Sequence, residues 1–333
     1  MTLVIFSIII NFILIKYNKN IAYIFNIYDK PDANRKLHKK IVPVTGGIII
    51  FLNIFFLSFF LLFYPNFFME LNIFKNPQDF YLFLFGLVIF FFIGFYDDKY
   101  DISANLKFIL MLFVLIPIVF LSENLLINAI QISFLKTQYS LSIIPSVIWT
   151  VLCFLLFINA LNMFDGINFQ VGAFSIYLCI FFIINNYFSI FFIIILISLS
   201  FFLYLNKNNR SFLGDSGSYL LAFIFSYFFI KLYNQENIIY SDHVVLFMII
   251  PGLDLMRLFI IRIYNGKNPF TPDRKHLHHI LLSKHSILIT NLITQLIIIL
   301  PSMLGYIYNN TSIFLIIQLT AYFYFIIFYK LKH

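Results

Sequence analysis

The sequence predicts an all-α bundle of about eleven transmembrane helices, and three observations predict it. First, 62% of the 333 residues are hydrophobic and only 11% are charged, with a mean hydropathy of +0.94; that balance suits lipid rather than water. Second, the apolar residues fall into runs of roughly 20, the length that crosses a bilayer as a helix, separated by short polar breaks. Third, the basic residues alternate between loops in a way that assigns the loops to two sides.

The runs lie at 2–16, 42–64, 80–96, 106–122, 143–160, 170–185, 187–205, 216–233, 243–263, 288–308 and 312–331. With eleven spans the termini lie on opposite sides. All but Lys75, Lys136 and Lys231 of the 22 Lys and Arg then share one side, so the N-terminus is expected outside and the C-terminus in the cytoplasm. The first run has no basic segment before it and no small-residue cleavage site, so it reads as a retained span. Nothing of ordinary domain size is left over, and 1–333 reads as one membrane domain. The net charge of +8 is a topology signal with a use in meeting lipid headgroups or phosphates, not a sign of nucleic-acid binding. Cys153 and Cys179 both sit in apolar runs, where a thiol behaves as a small hydrophobe.

Five polar constellations break the apolar background, all on the expected cytoplasmic face. Ionisable groups at a membrane are costly, so five on one face point to function. The first is Arg35-Lys36-Leu37-His38-Lys39-Lys40 running into Pro43-Val44-Thr45-Gly46-Gly47; Lys39 and Lys40 can meet phosphates or simply anchor the span, and the glycines permit close backbone approach. The second is Asp97-Asp98 at a span's C-terminal end, with Lys107 opening the next. Adjacent carboxylates repel unless a cation is near, and the helix dipole disfavours Asp there.

The third is Asn159-Ala160-Leu161-Asn162-Met163-Phe164-Asp165-Gly166-Ile167-Asn168. Asn159, Asn162 and Asp165 or Asn168 share a stripe if the helix continues, suited to a nucleotide or sugar, or to interhelical hydrogen bonds, and Asp165-Gly166 is expected to end the helix. The fourth, Gly214-Asp215-Ser216-Gly217-Ser218, opens a span; Asp215 there is equally an N-cap or a metal ligand beside phosphate-facing N–H groups. The fifth runs from Asp254 and Arg257 to Pro272-Asp273-Arg274-Lys275-His276-Leu277-His278-His279. Asp254 and Arg257 can neutralise each other, and with no Cys beside them the histidines read as pyrophosphate donors rather than zinc ligands.

Taken together, Asp97-Asp98, Asn159 to Asn168, Gly214 to Ser218 and the Pro-Asp-Arg-x-His-x-His-His string resemble the polyprenyl-phosphate N-acetylhexosamine-1-phosphate transferases, the glycosyltransferase 4 family, in order and topology over about the whole chain. The sequence is similar to the N-acetylglucosamine branch, because it carries His-Leu-His-His and Pro-Val-Thr-Gly-Gly where the peptidoglycan branch has three consecutive histidines and Pro-Thr-Met-Gly-Gly. The resemblance implies a multi-pass enzyme of the bacterial inner membrane with its active site facing the cytoplasm. It further implies a UDP-N-acetylhexosamine donor, undecaprenyl phosphate as acceptor, release of UMP, Mg²⁺ (with Mn²⁺ as the alternative ion) and a homodimer. The reaction would initiate a lipid-linked surface polysaccharide such as O-antigen of lipopolysaccharide. One departure is local: many relatives read Asp-Gly-x-Asp-Gly, some with Asn for the second Asp, where this chain has Asp165-Gly166-Ile167-Asn168-Phe169.

On that resemblance Asp215 is expected to be the principal Mg²⁺ ligand with Asp98, and Asp97 and Asp165 to lie in or near the metal shell. Lys107, His276, His278 and His279 complete the expected catalytic set. Lys39, Lys40, Asn159, Asn162, Asn168, Asp254 and Arg274 are expected to contact substrate. The rival class is a lipid transporter or flippase, whose charges would line a path across; the sequence reading places charge at one face, with none buried near the middle of a span.

Overall fold

The computed structural model describes residues 2–31, 40–63, 73–74, 76–122, 124–135, 137–238, 240–269 and 273–330. Each of the eleven apolar runs falls on a helix. In chain order the helices are α1 (Thr2–Lys16), α2 (Asn18–Phe25), α3 (Gly46–Phe63), α4 (Pro77–Tyr100), α5 (Ala104–Leu121), α6 (Ile143–Phe164), α7 (Gln170–Ile184), α8 (Ser189–Lys207), α9 (Gly214–Asn234), α10 (Ser241–Tyr264), α11 (Leu277–Leu282), α12 (Ile287–Ile307) and α13 (Thr311–Lys330). Among the described residues nine helices are long and apolar enough to cross a membrane; α1 with α2, bent by 68°, would make a tenth, and α7 is a shorter apolar helix. The fold is an all-α polytopic bundle.

Two small antiparallel pairings accompany it. Tyr28–Asp29 (β1) pairs with Val42–Pro43 (β2), and Ala129–Ile132 (β3) pairs with Thr137–Ser140 (β4) in a hairpin. The hairpin falls in a stretch that reads as a plain loop, because four-residue strands carry too little pattern to show.

The chain divides into two compact units, one of Met1–Ser122 with Val171–Phe225 and one of Glu123–Gln170 with Ser226–His333. In the first unit, aromatic rings do much of the packing. Phe51 of α3 stacks on Phe91 of α4 with centroids 3.9 Å apart, and Phe90 of α4 stacks on Phe223 of α9 at 4.9 Å. The Phe-rich composition, uninformative residue by residue, thus builds interhelical stacks. A buried polar knot joins α1 to α3: Ser7 Oγ and Asn11 Nδ2 both donate to Asn53 Oδ1, at 2.7 and 2.9 Å. Such bonds hold helices together where the hydrophobic effect between apolar faces and lipid is weak.

Glycines set the closest approaches. A Cβ on Gly94 of α4 would overlap the backbone of Asp215 and Ser216, and one on Gly47 of α3 would overlap Ser216 and Gly217. The start of α9 is therefore wedged between α3 and α4 with no room for a side chain. Gly94→Val is expected to lower the thermal midpoint and the yield of monodisperse detergent-purified protein, by about 3 kcal/mol, since backbone rather than a flexible side chain must give way. Unchanged melting and yield would mean that α9 can shift freely.

In the second unit α10 packs on α6, α12 and α13, and the short α11 lies against α12 and α13. Tyr233 pins the hairpin: its hydroxyl donates to the Ala129 carbonyl at 2.9 Å and accepts from the Gln131 N–H at 2.8 Å.

Candidate active site

In the first unit the site is organised around the N-terminus of α9. Gly214 takes φ +74°, a backbone state that glycine adopts without cost, and a Cβ there would press on the carboxylate oxygens of Asp98. Across this gap the Asp215 N–H donates to Asp98 Oδ1 at 2.7 Å and the Ser216 N–H donates to Oδ2 at 3.0 Å. Asp98, from the C-terminal end of α4, is thus the cap of α9 although 117 residues separate it from Asp215. This resolves why an Asp is tolerated where its own helix dipole disfavours it: the positive end of a neighbouring helix meets it. It also settles which Asp does the capping, since the sequence left Asp215 as a cap or a ligand.

Asp97 is buried and forms an ion pair with Lys107 of α5, and its Oδ1 accepts the Ile102 N–H at 3.0 Å. Lys107 Nζ also lies 3.6 Å from Asp215 Oδ2, whose side chain is 34% exposed. Asp97, Asp98, Lys107 and Asp215 are therefore one cluster, with Lys107 between two carboxylates, of which Asp215 is far more exposed than Asp97.

The Pro43–Gly47 segment, whose glycines are expected to permit close backbone approach, serves this cluster from behind. Phe212 N–H donates to the Pro43 carbonyl, and the Gly46 and Gly47 N–H groups donate to the carbonyls of Phe212 and Leu213, at 2.9 to 3.0 Å. Thr45 is fully buried; its hydroxyl bonds to Asn18 and, at 2.8 Å, to Ser211. The glycine pair accordingly admits helix α9, and the loop before it is laced to the start of α3. Lys40 is exposed at the edge of this segment, and Lys39 lies outside the described residues.

In the second unit α6 ends at Phe164, and Asp165 caps it with φ −77° and ψ 59°. The expected stripe therefore stops at Asn162, and Asp165 and Asn168 belong to the loop that follows. Asn159 Nδ2 donates to the Leu155 carbonyl at 2.8 Å, which fixes one end of that amide on its own helix. The loop is held by α12, where Asn291 Nδ2 donates to the Asn168 carbonyl at 2.8 Å and Gln295 Nε2 to the Gln170 carbonyl at 2.9 Å. Phe169 takes φ +72°. The place where the resemblance leads one to expect a second glycine is thus a left-handed position in this chain, occupied at a cost of about 1 kcal/mol or more by a bulky residue.

A Cβ on Gly166 would overlap the His278 ring, so the Asp165-Gly166 turn and the histidine cluster meet within this unit. His276 and His278 stack with centroids 5.5 Å apart, and His278 and His279 approach to 4.3 Å. Burial, reinforced by His279 and His276, pushes His278 well below its ordinary range. Burial first, then His276 and Arg274, lowers His279 to about 4, so both are neutral at pH 7. Arg274 itself is exposed. Asp273 is tied to Arg262 Nε at 3.0 Å; burial pulls its carboxyl upward, but the hydrogen bonds from Arg262 and the Lys275 N–H hold it below the usual value.

Asp254 anchors the cluster. It is buried inside α10 and accepts from Arg257 Nη2 at 2.8 Å, Tyr322 Oη at 2.9 Å and the Leu277 N–H at 3.1 Å, while His276 Nδ1 lies 2.8 Å from its other oxygen. The expectation that no span carries buried charge away from its ends is corrected here: Asp254 and Arg257 lie within α10, tolerated because they pair and because α11 and α13 supply further donors. Thr45 and Ser211 beside the first unit's acids, and Asn291 and Tyr322 beside the second unit's turn and histidines, were missed from sequence. They are ordinary residues of apolar or polar runs, and only the fold of each unit brings them to its cluster.

Among the described residues no group of three His, Cys, Asp or Glu side chains converges as a ready metal cage. The donor set is all carboxylate around Asp215, which suits a hard cation that takes one or two protein oxygens and completes its shell with substrate phosphates and water.

Comparison with known proteins matches residues 80–233, α4 through α9, to the model of glycosyl transferase family 4. The undecaprenyl-phosphate alpha-N-acetylglucosaminyl 1-phosphate transferase of Thermotoga maritima is 28% identical over 77% of this chain and 73% of its own length. The probable undecaprenyl-phosphate N-acetylglucosaminyl 1-phosphate transferase of Bacillus subtilis is 27% identical over 80% and 72%. The alpha-N-acetylglucosaminyl enzyme of Salmonella typhi is 24% identical over 79% and 71%. The matched region contains the Asp97-Asp98 cap, Lys107, the Asp165 turn and Asp215, so it is over the residues that build this cluster that the chain is similar to glycosyl transferase family 4.

Proposed function

We propose that this chain transfers N-acetylglucosamine 1-phosphate from a UDP-sugar to undecaprenyl phosphate, releasing UMP, as the first step of a lipid-linked surface polysaccharide. The observation that carries the reading is the Asp215 carboxylate, set at the N-terminus of α9 beside Lys107 by the Asp98 cap. The names of the relatives supply the substrates. The positive-inside distribution of Lys and Arg supports a cytoplasmic active face in a bacterial inner membrane.

Donor and acceptor are both anionic, so the site must lower their repulsion. Asp215 would hold Mg²⁺, and the bound cation would supply positive charge against the departing phosphate; Asp98, expected as its second ligand, accepts the Asp215 and Ser216 N–H groups with its two oxygens and so stands behind Asp215. Lys107 holds Asp97 and Asp215 in place and presents its ammonium to the same region. Arg274 and the histidines offer N–H donors to phosphate oxygens. The reaction is a single displacement. An oxygen of the lipid phosphate attacks the phosphorus that bears the sugar, a new P–O bond forms, and the bridging P–O bond breaks with its electrons leaving on UMP. A phosphomonoester has its second pKa near ~6, so at pH 7 the attacking group is mostly a dianion and needs no base.

Purified protein given undecaprenyl phosphate and a panel of UDP-N-acetylhexosamines is expected to release UMP and to yield a lipid heavier by one N-acetylhexosamine phosphate. Absence of UMP from every donor, with the lipid unmodified, would leave transport as the better reading.

A further inference from the structure

We propose that Tyr322, in the last helix, together with Arg257, is a positioning residue that locks His276 into one proton arrangement through Asp254. The proposal rests on the reading of the histidine cluster as a phosphate-contacting group and says which histidine is prepared for it and by what.

The hydrogen bonds run in one direction. Arg257 Nε donates to Tyr322 Oη at 2.7 Å. Since that oxygen is accepting, its own proton is turned to Asp254 Oδ1, 2.9 Å away. Arg257 Nη2 adds a second donor to Asp254 Oδ1 at 2.8 Å and reaches the Lys275 carbonyl at 2.6 Å. The Leu277 N–H closes on both carboxylate oxygens at 3.1 and 3.2 Å. Every other neighbour therefore donates into Asp254, whose only role is to accept. Its contact with His276 Nδ1 at 2.8 Å then requires the proton to sit on Nδ1. A carboxylate so placed fixes the imidazole's tautomer and favours a proton on the far nitrogen, Nε2, when a phosphate oxygen calls for one.

The other two histidines lack this arrangement. His278 is spent on contact with Gly166, and no carboxylate lies against His279 in the hydrogen bonds of the described residues. Tyr322 is completely buried, in a helix whose sequence otherwise reads as an apolar span. A tyrosine there needs a partner for its hydroxyl, and the partner it has is the one that orients His276. The Arg257 contact to Lys275 fixes the backbone immediately before His276, so ring and main chain are held from the same side.

Tyr322→Phe tests this, because it keeps the ring and removes only the hydroxyl. In the full-length protein in detergent, kcat for UMP release is expected to fall about 10-fold or more with the KM for the UDP-sugar little changed. In ¹⁵N-histidine NMR, the His276 signal, assigned by its loss in His276→Asn, is expected to show a protonated Nδ1 in the native protein and a mixture of tautomers in Tyr322→Phe. Tyr322→Leu, which removes ring and hydroxyl, separates packing from hydrogen bonding. A purely packing role predicts that Phe matches the native protein while Leu does not. A native kcat in Tyr322→Phe, or an unchanged His276 signal, overturns the proposal. If the native protein releases no UMP, it is the functional reading that fails, and the NMR comparison still judges the positioning on its own.

Discussion

Asp215→Asn is expected to reduce turnover by about 100-fold or more, roughly 3 kcal/mol of transition-state stabilisation, in a protein that melts as the native one does. The two halves of that expectation come from different atoms of one residue. Its main-chain N–H is what anchors α9 to Asp98, and an amide side chain leaves that bond untouched. Its carboxylate is one third exposed and lies beside Lys107, so the substitution removes a charge from the reacting region without opening the core. UMP release under saturating substrates, alongside a thermal melt, measures both. A variant with near-native rate would reduce Asp215 to a first-turn residue of α9 and remove the proposed metal position with it.

Asp98→Asn should lose a comparable factor in rate for a different reason, and should lose stability as well. Both Asp98 oxygens accept main-chain N–H groups, whereas an Asn offers one oxygen and turns an NH₂ toward the second donor. The lost cap costs about 1 to 2 kcal/mol, visible as a lower melting midpoint that Asp215→Asn does not show. The same geometry bears on mechanism. A nucleophilic carboxylate needs an oxygen directed at phosphorus, and here the pair is gripped between two N–H donors and backed by Gly214. Enzyme and UDP-sugar without acceptor are therefore expected to give no burst of UMP and no exchange of labelled UMP into donor. Acceptor-free exchange that disappears in Asp98→Asn would establish a covalent aspartyl intermediate instead.

These two acids show how far the amino-acid order alone could go. It marked Asp97-Asp98 and Asp215 as separate signals in separate loops, and nothing local says that one Asp caps the helix that begins beside the other. That pairing appears only when Gly47 and Gly94 let α3 and α4 close on the start of α9. The Pro43–Gly47 run shows the same limit in reverse, since a glycine pair announces close approach but not what approaches. Asp165-Gly166 was legible as the end of α6, and the helix does stop at Phe164; what holds the turn beyond it, the hydrogen bond from Asn291 to the Asn168 carbonyl 123 residues away, was not.

What the sequence by itself determined is the solvent of this protein and the position of its apolar helices. Both follow from the free energy of moving apolar side chains and unpaired backbone groups into lipid, a sum over neighbours in the chain. The motifs, being short and local, were legible for the same reason. Only the tertiary structure decided which acid caps, which histidine is oriented, and that Tyr322 and Arg257 stand behind it. Those are hydrogen bonds between residues tens to hundreds of positions apart, and their partners are chosen by how helices pack.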